Sequence, residues 1–431
     1  MSEEKIKPVA PVGYMQLIRQ NRPFRHLWAG QIISLLGDWF NLIASATLIA
    51  QLTQSGAAIG GLFVVRMLAP FLMSPFAGVL ADRYNRKYIV MAADISRGLI
   101  VLGFVLVRDP QHVWLIYVLT AIQSALQGFF FPAWNSILPD ITSREELGAA
   151  NALSSATWSV MLAFGAALGG FFSGFIGVYP AFIIDSITFF ASVAIISQMP
   201  YQSLIDKTAD RSIMAGFRQY FEGLGYLRDH VDTFVITLHK AMIGLLLVGI
   251  FQVAQVAIAE RYFPIGDGGS ISLGMIYFVI GVGTGVGPIA GRYWAKDDDR
   301  KLRIAIVFGY VCSVAGLFFA STLASFPVVL LGAFLRGVGG GAVWVLATQL
   351  LLQILPNRVR GRVFSTEFAF NTLATAISSG LVGVLMDTTF GVSGILLLSS
   401  ILLIIPMVLW SLWIVMGRRD KIKREEPALV S

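Results

Sequence analysis

The sequence predicts an all-α membrane protein, with twelve transmembrane helices forming two six-helix bundles related by pseudo-two-fold symmetry. Three observations lead there: an apolar composition, long apolar runs, and a lopsided distribution of Lys and Arg. The chain has 431 residues, of which 56% are hydrophobic and only 13% charged. A soluble domain carries about 25% charged residues. A chain this apolar has too little polar surface to cover a water-soluble body of its size, so lipid must solvate much of its exterior.

The runs come next. A membrane helix needs about 20 mostly apolar residues. Such stretches lie at 27–52, 57–81, 88–107, 113–138, 149–176, 179–198, 233–259, 270–291, 303–321, 325–352, 363–387 and 391–416. Barrel strands are about 10 residues of alternating polarity. These runs are longer and do not alternate, which excludes a β-barrel.

The charge distribution orients the spans. With the N-terminus set in the cytoplasm, 26 of the 32 Lys and Arg fall in cytoplasmic segments. Arg108 and Arg261 fall outside, and Arg66, Arg97, Lys240 and Arg336 lie within spans, with Arg303 at the very start of its span counted as a cytoplasmic flanking charge. This is the positive-inside pattern. It predicts a multi-pass protein of the cell (inner) membrane with both termini cytoplasmic. It also accounts for the net charge of +7 without nucleic acid as a partner. The basic tail of Arg418, Arg419, Lys421, Lys423 and Arg424 then faces anionic lipid. Cys312 is the only cysteine, so no disulfide framework or thiol metal site forms within one chain. The first apolar run is too long for a signal-peptide core, and an uncleaved N-terminus is expected.

Five segments follow: a cytoplasmic N-terminal segment 1–26, a six-helix bundle 27–198, a linker 199–232, a second bundle 233–416, and a basic tail 417–431. Within the linker, Ile213, Phe217, Tyr220, Leu224 and Leu227 recur at spacings of 4, 3, 4 and 3. That is the apolar stripe of an amphipathic helix, here expected to lie on the membrane surface. The two bundles repeat each other. Ser74-Pro75-Phe76-Ala77-Gly78 matches Gly287-Pro288-Ile289-Ala290-Gly291, and each is followed by a charged loop ending in Arg86-Lys87 or Arg300-Lys301. Leu138-Pro139-Asp140 matches Leu355-Pro356-Asn357. A duplicated six-helix unit is a transporter layout that places the substrate between the halves near the midplane.

Gly78-Val79-Leu80-Ala81-Asp82-Arg83-Tyr84-Asn85-Arg86-Lys87 resembles the signature loop of the major facilitator superfamily, Gly-x-Leu-x-Asp-Arg-x-x-Arg-Lys/Arg. It lies between the second and third spans, where that family has it. The resemblance implies that Gly78, Asp82, Arg83, Arg86 and Lys87 form a cytoplasmic gate between the halves. Leu27-Trp28-Ala29-Gly30-Gln31, Gly37-Asp38 and Leu138-Pro139 resemble the macrolide-efflux and enterobactin-exporter-like branch, of drug:proton antiporter type. Exporters of the superfamily often carry a Gly-Pro-x-x-Gly-Gly core in the fifth span. Here it reads Gly165-Ala166-Ala167-Leu168-Gly169-Gly170, with Ala166 in place of proline. Gly165, Gly169 and Gly170 are read as helix-packing positions. The usual fourth-span arginine of antiporters is absent, with Gln123 and Gln127 the nearest polar groups.

Ionisable groups inside the membrane each need a reason. In the first span Gln31, Ser34, Asp38, Asn41 and Ser45 are spaced 3, 4, 3 and 4, one polar face that cannot point at lipid. Asp38 sits about 11 residues in, near the midplane at 1.5 Å per residue. Arg66 of the second span lies at similar depth, and an Asp38–Arg66 pair is expected, either proton-coupling or permanently structural. Glu367, Asn371, Thr375 and Ser378 repeat the polar stripe in the eleventh span. Glu367 is a second protonation candidate or a site for a cationic substrate, or else pairs with a cytoplasmic arginine such as Arg360. Arg336, in the tenth span, is expected to hold an anionic group or to bridge to Glu367. Asp94 and Arg97 sit three apart and pair along the third span. Gln31, Asn41, Gln127, Arg336 and Asn371 are the cavity candidates.

Gly281-x-Gly283-x-Gly285-x-Gly287 lies within a span, so it fails the context test for a dinucleotide loop. The sequence has no nucleotide-binding phosphate loop, no catalytic constellation and only four histidines. No enzyme activity, cofactor or metal is expected. The expected function is export of an amphipathic small molecule (a drug, siderophore or lipid-like compound) by alternating access. Proton coupling and a monomer in contact with membrane lipid are expected. Uptake by symport, or a receptor or scaffold that moves nothing, are the alternatives.

Overall fold

The computed structural model describes residues 12–202, 222–296, 298–388 and 390–416, without the side chains of residues 74, 75, 77–79, 81–83, 144, 357 and 358. Nearly all of the described chain is helical, and no strand occurs among the described residues. Among the described residues, twelve helices are long and apolar enough to cross a membrane. They are Arg22–Thr53, Gly56–Arg83, Arg86–Leu106, Pro110–Ile141, Glu145–Ile176, Val178–Ser197, Val231–Tyr262, Asp267–Ala295, Asp299–Ser321, Phe326–Ile354, Val359–Met386 and Gly391–Met416, called the first to twelfth spans in that order. The protein is an all-α, multi-pass membrane protein with the predicted number of spans.

Several spans run beyond their apolar cores because polar residues cap them. Asn21 accepts from the Phe24 amide at the start of the first span. Ser55 accepts from the Ala58 amide at the second. Ser143 and Glu146 form a reciprocal capping box at the fifth. Each satisfies amide donors that the first helical turn leaves open. Before the first span, the short helix Tyr14–Gln20 buries Leu17 in a core with Phe24, Leu27, Phe130 and Trp134.

Residues 1–11, the linker stretch 203–221 and the tail 417–431 lie outside the described residues. Ile213, Phe217 and Tyr220 of the linker stripe therefore fall there. Its end is described: residues 222–229 are helical and Leu227 is buried. Glu222 there pairs with Arg362 of the eleventh span at 2.7 Å.

The chain divides into two compact units. The first comprises Met1–Ala215 with Gln255–Gly281, and the second Gly216–Ala254 with Val282–Ser431. In the first unit the first span packs on the fifth and sixth, and the third and fourth pack on each other. The second packs on the fourth and the third on the sixth. The second unit repeats the scheme. The seventh span packs on the eleventh, the ninth on the tenth and twelfth, and the eighth on the tenth. Matching pairings are the three-dimensional counterpart of the repeated motifs.

Water provides no driving force between helices inside a bilayer, so close backbone approach and dispersion must hold them. The ninth and tenth spans show how. A Cβ on Gly332 would stand 2.6 Å from the Gly316 carbonyl oxygen and 2.7 Å from the Ala320 nitrogen. Those neighbours are backbone atoms and have no rotamer to move to. Gly332→Ala is expected to destabilise the protein by about 1–3 kcal/mol, the usual cost of overpacking. A lowered thermal unfolding midpoint in detergent, relative to Gly285→Ala, checks this. Gly285 has open space for its Cβ.

Candidate substrate and proton site

The polar face of the first span is buried in the first unit. Gln31, Ser34, Asn41 and Ser45 are all nearly inaccessible, and Ser45 donates to the Asn41 side chain. Close packing of the first span on the fifth and sixth produces this. A Cβ on Gly30 would meet Ile196 at 2.8 Å. One on Gly37 would overlap Asp185 and Thr188.

Asp38 is paired with Arg97, whose Nη2 donates to the Asp38 carboxylate. Nη1 of the same guanidinium donates to Asp94 at 3.3 Å, and Ser192 of the sixth span donates to the other Asp94 oxygen at 2.8 Å. The Arg97 guanidinium also lies 4.2 Å from the centre of the Phe189 ring, where the ring's quadrupole favours a cation. One side chain thus joins the first and third spans directly, and reaches the sixth through Asp94.

This corrects the expected Asp38–Arg66 pair. Depth along a span does not say which way a side chain points. Arg97 is 1% exposed, and a buried guanidinium without a counter-charge is strongly unfavourable. Arg66 is only partly buried. It lies within electrostatic reach of Asp38 and Asp185, with no ion pair to either. The Asp94–Arg97 contact is present, but it belongs to a larger cluster than one helix face.

A small cavity adjoins the pair. Gln31, Asp38, Arg97 and Gln127 supply its polar wall, and Phe130, Phe131, Trp134 and Trp158 its aromatic wall. Phe130 stacks on Trp134 and Phe131 on Trp158. Its volume, about 10 Å³, is room for about one water molecule, so a larger molecule with a polar group on an apolar body enters only if the helices part. Gln127, the expected fourth-span group, therefore stands beside Asp38.

The fifth-span glycines set the spacing on two sides. Cβ atoms on Gly165 and Gly169 would come within 2.8 and 3.1 Å of Trp39. One on Gly170 would stand 2.7 Å from the Gly274 Cα. The segment 255–281 also meets the first span through polar contacts. Gln51 donates to Asp267 at 2.9 Å, Gln54 to Glu260, and Arg261 to the Gln54 carbonyl.

At the opposite end of the first unit, Arg86 pairs with Asp140 at 2.8 Å, and Tyr201 donates to the same carboxylate at 2.6 Å. Lys87 donates to the carbonyls of Ser197 and Met199 at the end of the sixth span. The motif thus ties the third, fourth and sixth spans together. The side chains of Gly78, Asp82 and Arg83 lie outside the described residues.

In the second unit Glu367 is paired with Lys240 at 2.7 Å, not with Arg336 or Arg360. Lys240 lies 4.7 Å from the Trp344 ring centre. The Lys240 side chain is 7% exposed and meets its counter-charge inside the second unit. Asn371 faces Gly244 across the seventh and eleventh spans, where an added Cβ would stand 2.8 Å from its side-chain oxygen. Arg336 lies 5.3 Å from the Phe251 ring centre. Arg303 makes two bonds to Asp232, at 2.9 and 2.7 Å, and one to Asp299. Sequence reasoning missed Arg303, which it counted as a flanking charge. Its signal was Asp299 four residues earlier on the same helix face.

Buried ion pairs inside a twelve-span α-helical protein, beside a polar-aromatic cavity, define a membrane transporter. The sequence profile of the Major Facilitator Superfamily matches residues 27–366 and 298–429, and the chain belongs to that family. It is 26% identical over 366 residues to the putative bacilysin exporter BacE of Bacillus subtilis (strain 168), covering 84% of this chain and 88% of that protein. It is 26% identical over 401 residues to macrolide efflux protein A of Streptococcus pyogenes, covering 88% and 93%. Among solved structures, the nucleoside transporter NupG superposes with a TM-score of 0.72 at 12% identity, over 90% of this chain and 98% of that one.

Removing one partner of a buried pair costs about 3–5 kcal/mol. Arg97→Gln strands both Asp38 and Asp94, so a loss of that size is expected. Arg66→Gln should lose much less. Thermal unfolding midpoints of the two variants in detergent test the assignment, and equal losses would refute it.

Proposed function

We propose that the protein exports an amphipathic small molecule by alternating access, driven by an inward flow of protons. One observation carries this reading: the buried Asp38–Arg97 pair opens onto a cavity whose other wall is aromatic. The aromatic wall holds the apolar body of the cargo. The Gln31 and Gln127 side chains bond its polar groups. Protonation of Asp38 releases Arg97 and loosens the contact between the first and third spans, which links proton uptake to a change of conformation. The efflux relatives support the outward direction.

Glu367 with Lys240 is a second protonation candidate in the eleventh span, and Asn371 and Arg336 extend the polar lining. Arg86 and Lys87, with Gly78, Asp82 and Arg83, serve as the gate on the cytoplasmic side. The strongly basic side faces the cytoplasm with both termini, in the inner membrane. The chain works as a monomer. This is supported by ion pairs that close within the chain among the described residues.

The test uses everted membrane vesicles with an acidic interior and a radiolabelled macrolide. Accumulation inside the vesicles, collapsed by a protonophore, is expected for the wild type. Asp38→Asn should lose the gradient-driven part. Accumulation that ignores the protonophore would sink proton coupling. Gradient-driven depletion instead of accumulation would mean uptake by symport.

A further inference from the structure

Asp185 of the sixth span has no role in the site described so far. It is 0% exposed, and neither carboxylate oxygen has a hydrogen-bond partner. Its backbone carbonyl accepts from Thr188 at 2.7 Å, which does nothing for the carboxyl group. The sixth span presses it against the first, since an added Cβ on Gly37 would overlap it. The neighbouring amide nitrogen of Asn41 is also buried and unpartnered.

The charges around it can be counted by element. The first span contributes Asp38, the second Arg66 and the third Arg97, with Asp94 held behind Arg97 and the neutral phenol Tyr277 of the eighth span within reach of Arg66. With Asp185, that makes three carboxylates and two guanidinium groups in one cluster, buried except for parts of Asp38 and Arg66. Fully ionised, the cluster carries one uncompensated negative charge in a low-dielectric interior, which is strongly unfavourable. One proton makes it neutral. Asp38 accepts from Arg97, and Asp94 accepts from both Arg97 and Ser192. Asp185 alone among the three makes no hydrogen bond of normal geometry, and the Asn41 amide is its nearest donor.

We propose that Asp185 is a second proton-binding site, which holds one proton while Arg97 is clamped between Asp38 and Asp94. Asp38 is the more accessible of the two and lines the cavity, so it is the entrance. Asp185, one helix away across Gly37, is the store. A proton arriving at Asp38 frees Arg97 from it, and the freed guanidinium compensates an ionised Asp185. Asp185 then releases its proton as Asp38 takes one up. The cluster keeps a single excess proton at each stage of this exchange. The role in transport rests on the proton-driven reading above, but the site itself does not.

Infrared spectroscopy of the full-length protein in liposomes tests the site with no cargo. At neutral pH the wild type should show a protonated carboxylic acid C=O band that shifts on exchange into heavy water. Asp185→Asn should lose one carboxyl equivalent of that band. Asp38→Asn, which neutralises the partner of Arg97 as a proton would, should weaken it as well, and Asp185→Glu should move its frequency. A band unchanged in folded Asp185→Asn overturns the proposal. If that variant does not fold, an unmoved band in Asp185→Glu overturns it equally. The vesicle assay separates the two readings. Protonophore-insensitive export together with a band that follows Asp185 would reject proton coupling and leave the site standing. Gradient-driven export with no such band would reject the site and leave the coupling.

Discussion

The constraint that organises the first unit is charge neutrality around Arg97. A guanidinium in a low-dielectric interior needs counter-charges and filled donors at the same time. Asp38 and Asp94 supply the charges, and Phe189 covers the face. These partners stand on three different helices, so the helices must come close. Ser186 donating to the Gly98 carbonyl at 2.8 Å marks the tight approach of the third and sixth spans. The glycines, the serines and the buried charges are therefore one solution and not three separate features.

The second unit meets the same constraint in another way. Its midspan pair is a single Lys240–Glu367 contact, backed by aromatic faces. Arg303 is held nearer one end by Asp232 and Asp299, with Trp410 below it and Trp413 donating to Asp232. Lys240 and Arg303 are each held by acids of their own. The two units share a pairing scheme of helices but not an electrostatic design, and a backbone repeat alone does not tell which half carries which task.

The fold was legible in the sequence because lipid imposes a simple rule. Every span must be long, apolar and helical, so run length alone counts them. The polar face of the first span was legible for the same reason, since a face that cannot meet lipid must be buried. Partner choice was not legible. Asp38 and Arg66 share a depth, but the reach of Arg97 from the third span depends on packing that no single-helix pattern encodes. By sequence Lys240 is a charge within a span, and nothing in its own helix names Glu367 as its partner. Asp185 had no helical stripe to announce it, because the rest of its neighbourhood comes from other spans.

The fifth span contains a widened, π-helical turn at Met161–Gly165, and the seventh contains two, at Gly244–Val248 and Ile258–Tyr262. Such a turn closes hydrogen bonds over five residues instead of four, so it accommodates an extra residue without breaking the helix. In the fifth span it comes just before Gly169 and Gly170, which face Trp39 on one side and Gly274 on the other. One α-helical residue is a rotation of about 100°, from 3.6 residues per turn. The bulge therefore acts as a phase shifter. Had the same residues been wound as an unbroken α-helix, the two glycines would point about a quarter-turn away, and bulky neighbours would fill the seams they now keep open.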